Sequence, residues 1–269
     1  MTARLVVEPE AAGAAHAQAN SAARRRGFRL YEPAHAHPPA SGRRRRIDPT
    51  SEVVLPEIPV LEPPSPRYRQ WQRARDLVGG VALLVLTLPL QAAIAALVAA
   101  DSPGQVIFRQ LRVGEGGRLF VFYKFRTMHS DARERFPELY AYEYTADQVD
   151  TMTFKLPFDP RLTRVGRHLR RTSLDELPNL INVVRGEMSL VGPRPEIPEM
   201  VPYYRADQLA KFSVKPGLTG LAQVSGRNIL RFQQTIAADL EYVQTRSLRL
   251  DLRLLAKTAL VVLLRAGAL

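Results

Sequence analysis

The chain has 269 residues and a formal net charge of +12. That length allows one or two domains, and the charge favours nucleic acid, anionic lipid or phosphorylated substrates without choosing among them. With no cysteine, the chain can form no disulfide, thiolate metal site or cysteine nucleophile, and it suits a reducing compartment.

Residues 1–66 are rich in Ala, Arg, Pro and His and show no sustained apolar periodicity. They predict a disordered basic cytoplasmic arm. Arg24-Arg25-Arg26-Gly27-Phe28 has the look of a twin-arginine signal. The apolar run that such a signal needs does not follow, so export is excluded on that ground. Arg43 to Arg46 read as a solvated basic linker, with contact to anionic lipid or nucleic acid as the alternative.

Leu77 to Ala100 carries no charged residue. As a helix it would extend about 36 Å, enough for a hydrocarbon core of about 30 Å. Pro89 lies at its middle, where it removes a backbone hydrogen bond and favours a kink. Thr87 is placed to bond a freed carbonyl. Arg67, Arg69, Arg73 and Arg75 precede the run, and Arg109, Arg112, Arg118 and Lys124 follow it. The positive-inside tendency keeps both flanks cytoplasmic. A helix over 67–103 that enters and leaves one leaflet satisfies this; a kinked transmembrane helix is the competing reading.

Val106-Ile107-Phe108 and Leu119 to Phe125 predict a β-hairpin closed by a Gly-rich loop at 114–117. Lys124 and Arg126 stand at its end. Asp131 to about Gln148 reads as helix and loop. Asp159-Pro160-Arg161 forms a turn into a basic stretch bearing Arg164, Arg167, Arg170 and Arg171.

Two adjacent carboxylates, Asp175 and Glu176, come next. Leu177, Leu180, Ile181 and Val184 follow at helical spacing, and Gly186 is a plausible stop. A helix is therefore predicted to begin between Ser173 and Asp175. Ser173-x-x-Glu176 reads as a capping box. The same end, with Arg170 and Arg171 beside it, also suits a phosphate. Spacing alone does not decide between the two.

Gly192-Pro193-Arg194-Pro195-Glu196 presents one arginine from a stiff loop. Lys215 to Asn228 forms a second Gly-rich loop with cations, including Arg227. Its glycines suit either tight turns or close approach to a polyanion. From Leu230 the pattern is helical. Leu252 to Leu264 is apolar but short for a span, so it reads as packed or interfacial.

Together these pieces resemble the bacterial sugar transferases, the monotopic phosphoglycosyl transferases that load polyprenyl phosphate. The matching segments run from about Val81 to Val262. They are the proline-broken apolar run, Asp101-Ser102-Pro103-Gly104 with Phe108-Arg109-Gln110, and Tyr123-Lys124-Phe125-Arg126-Thr127-Met128. Asp159-Pro160-Arg161, Ser173-Leu174-Asp175-Glu176-Leu177-Pro178, Gly192-Pro193-Arg194-Pro195 and Pro216-Gly217-Leu218-Thr219-Gly220 complete the set. No four-helix membrane region is seen, so the compact type is expected.

The resemblance implies an α+β fold: a membrane-embedded re-entrant helix and, over 104–269, a small, mainly helical cytoplasmic catalytic domain with a short β-hairpin. It implies a ping-pong transfer of sugar 1-phosphate from a UDP-sugar to undecaprenyl phosphate at the cytoplasmic face of the bacterial inner membrane. Asp175 would be the nucleophile and Glu176 the Mg²⁺ ligand. Lys124, Arg126, Arg170, Arg194 and Arg227 would bind substrate. No nucleic-acid partner is expected, and a homodimer is left open. The rival readings are a membrane-tethered nucleic-acid binder and a non-catalytic membrane assembly partner.

Overall fold

The computed structural model describes residues 64–142, 144–145, 148–149, 152, 158–226 and 230–263. Nearly all of the predicted N-terminal arm lies outside them. Helix α1 spans Pro66–Asp101, about 54 Å at 1.5 Å per residue. It begins well before the apolar run because Ser65 and Pro66 form a strong start signal. The Ser65 side chain accepts the Tyr68 N–H, and Pro66 occupies the first turn, where no N–H is needed. The basic flank Arg67 to Arg75 is therefore helical.

The helix is continuous through Pro89. Thr87 Oγ1 bonds the Leu83 carbonyl at 2.7 Å, not the Val85 carbonyl that Pro89 leaves without its usual donor. It is long and apolar enough to cross a membrane, and only 11% of its most apolar window is buried. Val85, Leu86 and Leu88 are exposed at 60% or more.

Both ends of α1 are fastened to the rest of the protein. Near its start, Tyr68 and Arg75 bond the buried Asp251, and Asp76 accepts the Leu190 N–H at 3.0 Å. Near its end, Ile94 and Val98 pack with Phe125 and Leu169, and Asp101 accepts the Val165 N–H at 3.0 Å. Between these fastenings much of the apolar run is exposed.

Strands β1 (Ile107–Val113) and β2 (Leu119–Phe125) pair antiparallel, with Ile107 opposite Phe125 and Val113 opposite Leu119. The hairpin was expected, and β1 runs longer than its apolar start. Helix α2 (Ala132–Arg135) is a single turn. Helix α3 (Arg164–Thr172) is capped by Thr163, whose side chain accepts the Gly166 N–H. A 3₁₀ segment over Leu174–Asn179 leads into α4 (Leu180–Arg185), which stops at Gly186 in the left-handed region.

Strand β3 (Ser189–Val191) runs parallel to β4 (Gly217–Thr219). This ladder explains the second Gly-rich loop. A Cβ on Gly217 would lie 2.0 Å from the Gly192 backbone nitrogen, so these glycines serve chain-to-chain packing rather than a polyanion. Helices α5 (Leu221–Gly226), α6 (Phe232–Thr245) and α7 (Leu248–Leu263) close the fold. Helix α7 is packed on one side and exposed on the other: Leu254 is buried, whereas Leu252 and Leu260 are exposed.

The core has two main clusters. One joins Val113, Ile197, Met200, Leu209 and Phe232; the other joins Phe120, Phe122, Val183, Leu190 and Tyr242. The arrangement is α+β and mostly helical, with small two-stranded sheets.

Candidate active site

Asp175 lies where three elements meet. Helix α3 ends at Ser173, which takes a left-handed conformation (φ 60°, ψ 18°) and turns the chain sharply into the 3₁₀ segment. Ser173 therefore does not form the expected capping box; its side chain caps nothing, and the link to Glu176 is a backbone N–H to carbonyl bond of 3.2 Å. The segment is tied to the hairpin by Asn179, whose side-chain oxygen accepts the Tyr123 N–H at 3.1 Å. That bond sets Asp175 against the end of β2, beside Lys124.

The resulting cleft is lined by five cations, Arg112, Lys124, Arg170, Arg194 and Lys211, and by three carboxylates, Asp175, Glu176 and Glu196. Ala222, Gln223, Leu230 and Thr235 form another part of its wall. The positive excess suits a polyanion. Arg194 donates to Glu176 Oε1 at 2.7 Å. Arg170 reaches the cleft while bonded to Asp159 at 3.2 Å.

The loop carrying Arg194 is held from both sides. Val113 N–H donates to the Glu196 carbonyl at 2.8 Å, and Arg112 donates to the Pro195 carbonyl at 3.0 Å. Gly217 N–H donates to the Pro193 carbonyl at 2.8 Å. Beneath the loop, Lys211 is 3% exposed and sits 3.1 Å from Asp239, 3.0 Å from the Tyr204 hydroxyl and 3.8 Å from Glu196. A buried cation so surrounded is neutralised by the carboxylates around it and fixes their positions.

Burial shifts both central groups towards neutrality. Asp175 is only 6% exposed. Its carboxyl is pushed up to about 6, by burial first and by Glu176 second, against the pull of Lys124, Arg170 and Arg194. Burial lowers the Lys124 ammonium to about 8, although Asp175 opposes that shift. A carboxylate of this kind is mostly ionised at neutral pH yet more basic than an exposed one, which suits a nucleophile.

Among the residues singled out in the sequence, Asp175, Glu176, Lys124, Arg170 and Arg194 meet in the cleft. Arg227 lies outside the described residues. Arg126 does not line the cleft. It is buried, and its guanidinium is spent on the end of α1: it donates to the carbonyls of Val98, Ser102 and Pro103 and to the Ser102 hydroxyl. Arg126 thus caps a helix C-terminus, where orphan carbonyls and the dipole favour a cation. Its bonds here are to α1 and not to the cleft, unlike those expected of a substrate-binding group.

Arg112, Glu196 and Lys211 were missed as cleft residues. Arg112 was read only as a membrane flank, Glu196 only as the end of a stiff loop, and Lys211 carries no sequence signal. Glu176 was expected to hold a divalent cation. No group of three His, Cys, Asp or Glu side chains able to hold a metal occurs among the described residues. The Glu176 carboxylate, which lines the cleft, nevertheless supplies hard oxygens of the kind that suit Mg²⁺, commonly held by one or two carboxylates with substrate phosphates and water completing its shell.

The family model for bacterial sugar transferases matches residues 67–265. Over 197 residues the chain is 45% identical to the UDP-galactose-lipid carrier transferase of Erwinia amylovora, covering 73% of this chain and 41% of that protein. It is 42% identical over 195 residues to the UDP-glucose:undecaprenyl-phosphate glucose-1-phosphate transferase of Caulobacter vibrioides, covering 70% of this chain and 67% of that one. The exopolysaccharide production protein ExoY of Rhizobium meliloti is 40% identical over 197 residues, covering 73% of this chain and 87% of ExoY. The chain therefore spans about two fifths of the length of its Erwinia relative and most of ExoY. On this match and these identities, the chain belongs to the bacterial sugar transferase family.

Proposed function

We propose that the protein transfers a sugar 1-phosphate from a UDP-sugar to undecaprenyl phosphate, releasing UMP, by way of a phosphosugar–aspartyl intermediate. The observation that carries this reading is the burial of Asp175 in a cleft with five cations, beside Lys124 and Arg170. The named relatives support the substrate classes.

In the first half-reaction, a carboxylate oxygen of Asp175 attacks the sugar-bearing phosphorus. The bond from that phosphorus to the bridging oxygen breaks, and UMP leaves with the electron pair. In the second, an oxygen of undecaprenyl phosphate attacks the same phosphorus and Asp175 departs as carboxylate. Lys124, Arg170 and Arg194 screen the approach of one anion to another, the main electrostatic barrier to both steps. Arg227 is assigned to phosphate binding on its sequence alone.

The direct test incubates purified protein with Mg²⁺, undecaprenyl phosphate and a panel of UDP-sugars and measures UMP. Release with at least one sugar is expected; none with any sugar overturns the reading.

Glu176 is assigned to Mg²⁺, which when bound would neutralise diphosphate charge. Excess chelator should reduce UMP release by at least about 100-fold, with recovery on adding Mg²⁺. Full activity in chelator removes the metal from the account.

The cleft is assigned to the cytoplasmic face of the bacterial inner membrane, with α1 re-entrant. Support comes from the helix ends: Tyr68 and Asp101 both bond the same compact domain, while much of the apolar run between them is exposed. A straight span would place its two ends on opposite sides. Single cysteines at the exposed Arg69 and Arg118, in a chain with none of its own, should be equally protected from an impermeant thiol reagent in intact cells. Labelling of one alone shows a true span.

A further inference from the structure

Arg170 reaches the cleft from the last turn of α3. One of its contacts outside the cleft is Asp159, a residue that does not line it. Asp159 is 9% exposed and accepts four N–H groups. Its Oδ1 takes the Arg161 backbone N–H at 3.1 Å and Arg161 Nε at 2.8 Å; its Oδ2 takes Arg161 Nη2 at 2.8 Å and Arg170 Nη1 at 3.2 Å. Arg161 is itself anchored, with its guanidinium 5.0 Å from the Tyr140 ring centre and one nitrogen 3.4 Å from the Leu139 carbonyl.

The main chain here is equally constrained. His129 N–H donates to the Arg161 carbonyl at 2.9 Å, and Thr163 N–H to the Thr127 carbonyl at 3.1 Å. The Asp159 turn is thereby fixed against residues 127–129, which closely follow β2, the strand that carries Lys124.

We infer that Asp159 is a positioning residue for the reaction, holding the Arg170 guanidinium beside Asp175 without neutralising it. The sharing of one carboxylate by two arginines is the reason. A single Asp–Arg pair would cancel the charge that Arg170 offers the cleft. With Arg161 making the bidentate, shorter contacts, the triad keeps a net positive charge, and Arg170 keeps a fixed direction. The Asp-Pro-Arg turn thereby gains a role beyond shaping the chain. The inference rests on the proposed function, because its readout is UMP release.

The test is a double-mutant cycle on the first half-reaction, with the full chain in detergent and thermal unfolding followed alongside. Asp159→Asn should lower the rate constant for UMP release by about 10- to 100-fold, since loss of placement in an active site costs about that much. Arg170→Ala should cost at least as much. In the double variant the loss should equal that of Arg170→Ala alone, because Asp159 has nothing left to place. Equal fractional losses from Asp159→Asn with and without Arg170 would mean that Asp159 only stabilises the turn, and would overturn the inference. Asp159→Glu keeps the charge and moves it by one methylene; it carries the same cycle if the Asn variant does not fold. No UMP release by the unaltered protein overturns the functional reading together with this one, whereas an active protein with additive losses overturns this one alone.

Discussion

Asp175→Asn is expected to lower turnover by at least about 10³-fold, because it removes the charge and most of the nucleophilicity of the group proposed to form the covalent bond. The amide keeps the shape of the carboxyl but is a poor nucleophile. Folding should survive. Burial raises the Asp175 carboxyl to about 6, above the ordinary aspartate value. A group raised on folding favours the native state when protonated and disfavours it once pH exceeds the folded value. At pH 7 the ionised side chain therefore costs stability, and a neutral amide relieves that cost. The thermal midpoint of Asp175→Asn should match or exceed that of the unaltered protein. A variant with near-normal turnover would sink the nucleophile assignment. An inactive but unfolded variant would contradict the stability argument.

The second large effect is on pH. The rate of UMP release in the first half-reaction should follow a bell between about pH 6 and about pH 8. The nucleophile must be ionised, so the rate falls about tenfold per unit as pH drops below the Asp175 value of about 6. Lys124 must be charged to screen the diphosphate, so the rate falls again as pH rises past about 8. The two limbs belong to a coupled pair, since each group's charge favours the other's. Lys124→Arg should push the alkaline limb up, because a guanidinium stays charged throughout that range. A profile flat from pH 5 to 9 would show that neither titration governs the step. Using the first half-reaction avoids the titration of the lipid phosphate.

The parts of the site legible in the sequence are those whose chemistry is local. Asp175 and Glu176 are adjacent, with Arg170 five residues before Asp175. The single arginine between two prolines was legible as a presented side chain. What failed was direction. Lys124 and Arg126 are two apart, and strand alternation would put both on one face. The strand ends at Phe125, and Arg126 turns away to cap α1. Nothing in the local pattern marks that end.

Ser173 failed for a related reason. The capping box assumed an extended residue starting a helix, whereas here a left-handed residue ends one helix and opens another. Arg112, Lys211 and Glu196 depend on contacts between segments distant in sequence, such as Lys211 with Asp239. No periodicity encodes these. The glycines of the Gly217 to Gly220 stretch were read as serving either tight turns or a polyanion, and they lie against another backbone because of the parallel β3–β4 ladder, which was not foreseen. The hairpin, the Gly186 stop and the long apolar helix were legible because each rests on nearby residues alone.

The central claim is that Asp175 carries the phosphosugar between two substrates. The most direct measurement incubates the protein with Mg²⁺ and the UDP-sugar that it uses, without undecaprenyl phosphate, and examines the peptide containing Asp175 by mass spectrometry. A sugar-phosphate adduct on that peptide is expected, with UMP released in an amount matching the enzyme and loss of the adduct when lipid phosphate is added. An unmodified peptide, with UMP appearing only when both substrates are present, would contradict it and favour direct transfer in a ternary complex.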